Sequence, residues 1–151
     1  MTNITIRKYQ ENDFGQICKI HDLGRKQELE IVNAEKYFTP LTQAPYRKDF
    51  FTCTILVASK NNLVVGFVAF HSHELDFLYV DPAYQGKGIG KLLAKTALLT
   101  MTHPITLNVF TENNKAKNLY HQLGFVSQCI DYDYWSPNDP QKYSNEEMIL
   151  K

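Results

Sequence analysis

The spacing of apolar residues changes several times along the chain, and each change marks an element. Ile4-Thr5-Ile6-Arg7 alternates apolar with polar, the two-residue period of a strand. From Phe14 the period lengthens. Phe14, Ile17, Cys18 and His21 recur at helical spacing, with Asn12 and Asp13 in position to cap the first turn. Leu29, Val32, Tyr37, Phe38 and Leu41 suggest a second helix, broken at Pro40 and Pro45. Thr54 to Ser59 and Leu63 to His73 are apolar runs separated by the turn Lys60-Asn61-Asn62, which predicts an antiparallel hairpin. Glu74 to Val80, rich in aromatic and aliphatic residues, is a further strand that stops at Asp81-Pro82.

The second half continues the alternation. Ile89, Leu92, Leu93, Ala97 and Met101 share one helical face, and Pro104 ends it. Ile105 to Phe110 reads as a strand. A helix opening at Asn113 or Asn114 carries Ala116, Leu119, Tyr120 and Leu123 at i, i+3, i+4, i+7, with Gly124 suited to the position just past its end. Phe125 to Tyr134 and Glu147 to Leu150 close the chain as strands. The order β-α-α-β-β-β-α-β-α-β-β predicts a mixed α/β fold. With no repeat, linker or low-complexity tract, residues 1–151 read as a single domain.

Composition narrows the function classes. Hydrophobic residues make up 44% and charged residues 21%, so the chain can bury a core without a disulfide or structural metal. Sixteen basic residues balance sixteen acidic ones, which argues against a partner recognised through its phosphates, so no nucleic acid is expected. Cys18, Cys53 and Cys129 are scattered, odd in number and free of CxxC spacing. They are expected to be reduced thiols in a cytoplasmic protein, acting as small buried hydrophobes. Met1-Thr2-Asn3-Ile4-Thr5 lacks the basic and apolar regions of a signal peptide. The longest apolar run, Leu63 to Phe70, falls far short of the roughly 20 residues that span a bilayer, so no membrane is expected either. His71 and His73, on one strand face beside Glu74 and Asp76, have a spacing that could ligate a metal. Polar residues at the exposed end of a hairpin strand need no ion, and none is expected.

The strongest chemical signal lies between a strand and a helix: Gln85-Gly86-Lys87-Gly88-Ile89-Gly90. Glycine lets backbone approach a ligand and adopt positive φ, the loop amides and helix N-terminus then face an anion, and Lys87 and Lys91 add charge. Three phosphate loops compete. The P-loop needs GxxxxGK[ST], but Gly86 to Gly90 is one residue short and Leu92 stands where a hydroxyl would hold magnesium. The dinucleotide fingerprint needs GxGxxG after a βαβ start, and here a hairpin precedes GxGxG. The third pattern, Q/R-x-x-G-x-G/A, is met at every defined position. It belongs to the GCN5-related N-acetyltransferases. The flanking Leu75-Asp76-Phe77-Leu78-Tyr79-Val80-Asp81-Pro82 resembles that family too. So does Asn113 to Phe125, as N-x-x-A-x-x-x-Y-x-x-x-G-F. The likeness is close over residues 54–126.

The resemblance implies a mixed, mostly antiparallel sheet of roughly six to seven strands, flanked by about four helices and splayed between its fourth and fifth strands. It implies transfer of an acetyl group from acetyl-CoA, as cosubstrate, to the amine of a small molecule or peptide by direct attack in a ternary complex. The alternative is a non-catalytic acyl-CoA-binding or regulatory module. By resemblance, Gln85, Gly86, Lys87, Gly88, Ile89, Gly90 and Lys91 would hold the pyrophosphate. Leu78, Tyr79 and Val80, beside a bulge, would pair their backbone with the pantetheine arm, and the Leu78 amide would stabilise the oxyanion. Asn113 would contact the cosubstrate near the thioester as well as cap its helix. Tyr120 would protonate the leaving thiolate. Glu74, or else Asp76, would take the amine's proton. The stretch from Arg25 to Phe51 is left as the other wall of the acceptor site. Tyr132, Tyr134, Trp135 and Tyr143, around Pro137 and Pro140 and beside Asp131 and Asp133, could receive a cation or pack on the sheet edge. Family members are often dimers, so a homodimer is among the expected assemblies.

Overall fold

A computed structural model describes residues 3–151; Met1-Thr2, part of the stretch read above as lacking a leader, lies outside them. The strands are β1 (Ile4–Lys8), β2 (Thr54–Lys60), β3 (Leu63–Phe70), β4 (Leu75–Val80), β5 (Ile105–Phe110), β6 (Val126–Tyr134) and β7 (Lys142–Leu150). The helices are α1 (Phe14–Ile31), α2 (Arg47–Phe50), α3 (Ile89–Leu98) and α4 (Asn114–Gln122). The predicted order of strands and helices holds except that the second helix is the short α2, beyond the stretch expected to form it.

β1-β2-β3-β4 form one antiparallel sheet and β5-β7-β6 another. The two touch through an isolated parallel bridge, Glu74↔Thr106, where the Thr106 amide donates to the His73 carbonyl at 2.8 Å. Beyond that bridge β4 and β5 part, which is the splay expected between the fourth and fifth strands. The β2–β3 turn places Asn61 and Asn62 at φ 52° and 65°, the left-handed pair that matches strand twist in a two-residue hairpin.

β3 is buried on both faces, which explains its unbroken apolar run. One face joins α3 and the second sheet through Val65, Val68, Phe70, Leu93, Ile105 and Phe125. The other joins α1 and α2 through Phe67, Ala69, Ile17, Ile20 and Phe50. Full burial of each of the valine, leucine, isoleucine and phenylalanine side chains among them stabilises by about 1.5–3 kcal/mol.

Several expectations change. α1 runs 18 residues to Ile31, so Leu29 ends the first helix rather than starting a second. Asn33, at φ 56°, turns the chain out of it, and the prolines leave only short 3-10 turns at Glu35–Tyr37 and Leu41–Gln43 before α2. Asp13 does not cap α1 with its side chain. Its carboxylate accepts from Arg7 Nη1 and Nη2 at 2.8 and 2.9 Å and from the Gln10 amide at 2.8 Å, fastening β1 to the start of α1. β3 ends at Phe70, not His73, because the register with β4 shifts after Ala69. β7 begins at Lys142, well before Glu147; its buried face includes Ser144 and Glu146, and these polar residues hide the alternation. No cysteine is fully buried. Cys18 and Cys53 are half-buried, and Cys129 is exposed because every residue of β6 is. Among the described residues no helix is long and apolar enough to cross a membrane.

Candidate active site

The glycine loop is built from its own local bonds. Asp81 accepts from the Ala83 amide at 2.9 Å and starts a 3-10 turn, Pro82–Tyr84. Gln85 Nε2 donates to the Val80 carbonyl at 2.9 Å and to Gln27 Oε1 at 3.0 Å, tying the loop to the end of β4 and to α1. Gly86 and Gly88 have φ of 78° and 81°, where a side chain is strained. Nothing lies within 4 Å of where a Cβ would stand on either, so the loop surface is open. Gly88 precedes α3 without any side-chain cap, so first-turn amides of α3 remain available to an anion.

β4 supplies the neighbouring wall. The pairs Ala69↔Phe77 and Phe70↔Leu75 leave Asp76 as an extra residue, a bulge. The Asp81 amide bonds the Val65 carbonyl at 2.8 Å, and Tyr79 is paired with Phe67. Antiparallel alternation then turns the backbone groups of Leu78 and Val80 away from β3, into the gap beside β5.

A cavity of about 790 Å³ occupies that gap. Leu78, Tyr79, Val80, Gln85, Gly86, Gly88, Ile89, Gly90, Lys91, Asn113 and Tyr120 all line it, as does Asp76. Lys87 and Glu74 do not. Lys87 Nζ lies over the Tyr84 ring, 5.6 Å from its centroid. Asn113 uses its side chain to cap α4, accepting from the Ala116 amide at 3.3 Å.

Tyr120 is 8% exposed and packs edge-on against Phe125. Among the described residues no group hydrogen-bonds its hydroxyl; burial first, then the charge of Glu28, raises its pKa, so the phenol stays protonated. Asp76 is engaged: its Oδ2 lies 2.8 Å from His71 Nδ1 and 3.7 Å from Cys53 Sγ. Glu74 is exposed, and partial desolvation followed by repulsion from Asp76 raises its pKa. His71 and His73 do not share a face. The strand has ended before them, and His73 Nδ1 bonds the Pro104 carbonyl at 3.0 Å while His71 turns to Thr52, Cys53 and Asp76. Cys53, His71 and Asp76 could together hold a metal, their ligand atoms lying within 4.8 Å of one another. Burial and the nearby Asp76 push the Cys53 thiol up to about 12.

The sequence marks the stretch from Arg25 to Phe51 as a wall without singling out any residue; it is α1 that contributes, its Gly24, Gln27, Glu28 and Ile31 lining the cavity. Gln27, Glu28 and Ile31 are the only residues of the Arg25 to Phe51 stretch that do so, and Gly24 lies just ahead of it. The Tyr79 hydroxyl donates to Glu28 Oε1 at 2.7 Å, and Arg25 Nη1 donates to the same oxygen at 3.2 Å. Burial raises the Glu28 pKa, with Tyr79 and then Arg25 opposing it. A glycine in mid-helix was the available signal. A Cβ on Gly24 would come within 2.3 Å of Tyr79 Cδ1, so only glycine lets the ring pass to Glu28.

Of the carboxy-terminal aromatics, Trp135 and Tyr143 pack into a cluster, while Lys142 Nζ lies over the Tyr134 ring, 5.3 Å from its centroid. Trp135 stacks on Tyr37 at 5.0 Å and packs against Tyr143 and Phe110, while the Tyr37 hydroxyl donates to Asp139. Tyr132 and Tyr134 are exposed outside this cluster.

Comparison with known proteins identifies the family and the fold. The family model described as an acetyltransferase (GNAT) domain matches residues 52–127. The uncharacterized N-acetyltransferase YafP of Escherichia coli K12 is 29% identical over 125 residues, covering 74% of this chain and 80% of YafP. The peptidyl-lysine N-acetyltransferase YjaB of Salmonella typhimurium is 39% identical over 61 residues, 40% of this chain and 41% of YjaB. Among solved structures, a GNAT superfamily phosphinothricin acetyltransferase from Sinorhizobium meliloti, in complex with acetyl-CoA, superposes with a TM-score of 0.71. That match has 18% identity over 99% of this chain and 88% of the other.

Proposed function

The chain belongs to the acetyltransferase (GNAT) family, and from that premise we propose that it moves the acetyl group of acetyl-CoA onto the amine of an acceptor held between β4, β5 and α1. The observation that carries this reading is the shared cavity. It joins an open glycine loop, the free backbone edge of β4 and an unengaged tyrosine hydroxyl.

The residues present fit acetyl-CoA. Gly86 and Gly88 leave room for a diphosphate against amides at the start of α3, with Gln85 bracing the loop and Lys91 adding charge. Leu78 offers its amide and carbonyl, and Val80 its amide, to an extended amide-bearing arm, as an added strand would meet them, the Val80 carbonyl being held by Gln85. When bound, acetyl-CoA supplies an acetyl thioester with a thiolate leaving group. The Leu78 amide donates to the thioester oxygen as negative charge builds there, a stabilisation typically worth about 2.7–4 kcal/mol. Tyr120 donates its proton to the departing sulfur. Its raised pKa keeps that proton in place at neutral pH until the sulfur becomes basic enough to accept it.

The acceptor is an amine on a small molecule or peptide. The relatives support that breadth, since one is named for peptidyl lysine and another for L-methionine sulfoximine. A thiol-release assay over a panel of amines tests the reading: release that depends on both acetyl-CoA and an amine is expected. Acetyl-CoA binding without release for any amine would instead favour a non-catalytic acyl-CoA-binding module.

A further inference from the structure

Granted acetyl transfer in this cleft, we propose that Glu28, on α1, binds the acceptor as a primary ammonium and takes its proton. Three carboxylates were available by position. Glu74 does not line the cavity. Asp76 does, but its Oδ2 is held by His71 and faces the Cys53 thiol. Glu28 lines the cavity together with Tyr120, and its charge reaches the Tyr120 hydroxyl.

The way Glu28 is held matters most. Both of its hydrogen bonds, from Tyr79 and from Arg25, fall on Oε1. Oε2 has no partner among the described residues, and 29% of the side-chain surface remains accessible. One oxygen is fixed by Tyr79 and by the Arg25 ion pair and the other is free, an arrangement that orients the carboxylate toward a ligand. The free oxygen would meet a protonated amine with a charge-assisted bond. Acceptors carrying a primary ammonium are therefore favoured over anionic ones.

The proton accounting closes. The ammonium gives one proton to Glu28 and becomes a neutral amine. Its nitrogen lone pair forms the bond to the acetyl carbon, and the carbon–sulfur bond breaks as sulfur takes the Tyr120 proton. The second amine proton then restores the Tyr120 hydroxyl, and Glu28 releases its proton to water. One proton leaves per acetyl group transferred.

The ionisable groups facing Glu28 are Arg25 on its own helix, Tyr79 from β4, Tyr46 from the turn before α2, and Tyr120 from α4. Arg25 favours the charged carboxylate, and Tyr79 does so through its hydrogen bond, while burial opposes both and prevails. A carboxylate so raised is the better base, since it must be deprotonated yet able to hold a proton briefly.

Glu28→Gln keeps an Oε1 acceptor for Tyr79 and Arg25 but removes the negative charge, and with it both the base and the charge that holds the ammonium. We expect acetyl-CoA affinity by calorimetry to be retained, and kcat/KM for the amine to fall by about 10²–10⁴-fold. The wild-type acid limb of the pH profile, set above the ordinary carboxylate range, should vanish. Tyr79→Phe removes a bond that favours the carboxylate, so the same limb should move to higher pH, a shift that a purely structural role would not produce. Glu28→Gln with wild-type kcat/KM and an intact acid limb would overturn the assignment and leave acetyl transfer standing. A wild-type protein that binds acetyl-CoA but acetylates no amine would overturn both.

Discussion

Tyr120 illustrates how far a single residue can be read from sequence. On spacing alone it belongs to the apolar stripe of α4, and the structure does bury its ring against Phe125. Its second role depends on the unpartnered hydroxyl, and only the paired glycine and tyrosine motifs brought that to notice. Tyr120→Phe keeps the packing and removes the proton donor. Turnover should fall by about 10²–10⁴-fold with acetyl-CoA affinity unchanged, read by steady-state kinetics beside calorimetry. Glu28 is the opposite case. It looks like any charge on a helix until Tyr79, 51 residues away in sequence, is placed beside it. Glu74 and Asp76 were legible as a pair on one strand. Their separation, one outside the cavity and one held by His71, follows from the bulge at Asp76 and the early end of β3, which no alternation pattern marks.

Elements were legible where one side faced a core made only of apolar residues. The hairpin of β2 and β3, the helices α3 and α4, and β5 all satisfy that condition. β7 does not, because Ser144 and Glu146 are buried, the latter paired with Lys117 at 2.9 Å. α1 outran its expected length because Gly24 reads as a weak helical residue, whereas its missing side chain is what lets Tyr79 pack there. Gly24→Ala gains helix propensity of about 1 kcal/mol but forces the Tyr79 ring aside. Net destabilisation, from an overpacking cost of about 1–3 kcal/mol, is expected in denaturant melts, with loss of amine turnover as Glu28 loses its partner. At the other end of α1, the two hydrogen bonds from Arg7 hold the Asp13 carboxyl below the usual carboxylate range. Its contribution is complete above the unfolded value near about 3.9 and is lost as pH falls through the lowered folded value. Asp13→Asn should cost about 1–3 kcal/mol at neutral pH and flatten the acid side of a stability-against-pH curve.

At the scale of the whole molecule, the alternation of strands and helices gave the α/β class, and resemblance supplied the splay. Hydrophobic periodicity reports which face of a strand is buried, not whether its edge is paired, so the parting of β4 from β5 after Glu74↔Thr106 left no trace in it. Zero net charge gave no direction to the acceptor, because the charges that matter are a few groups gathered in one cavity. That cavity, bounded by the glycine loop and the free edge of β4, carries the central claim. Calorimetric titration with acetyl-CoA tests it most directly. One saturable site per chain is predicted, and ligand at about 100 times its dissociation constant should raise the unfolding free energy by about 2.7 kcal/mol. A folded protein that gives no saturable heat with acetyl-CoA would contradict the account.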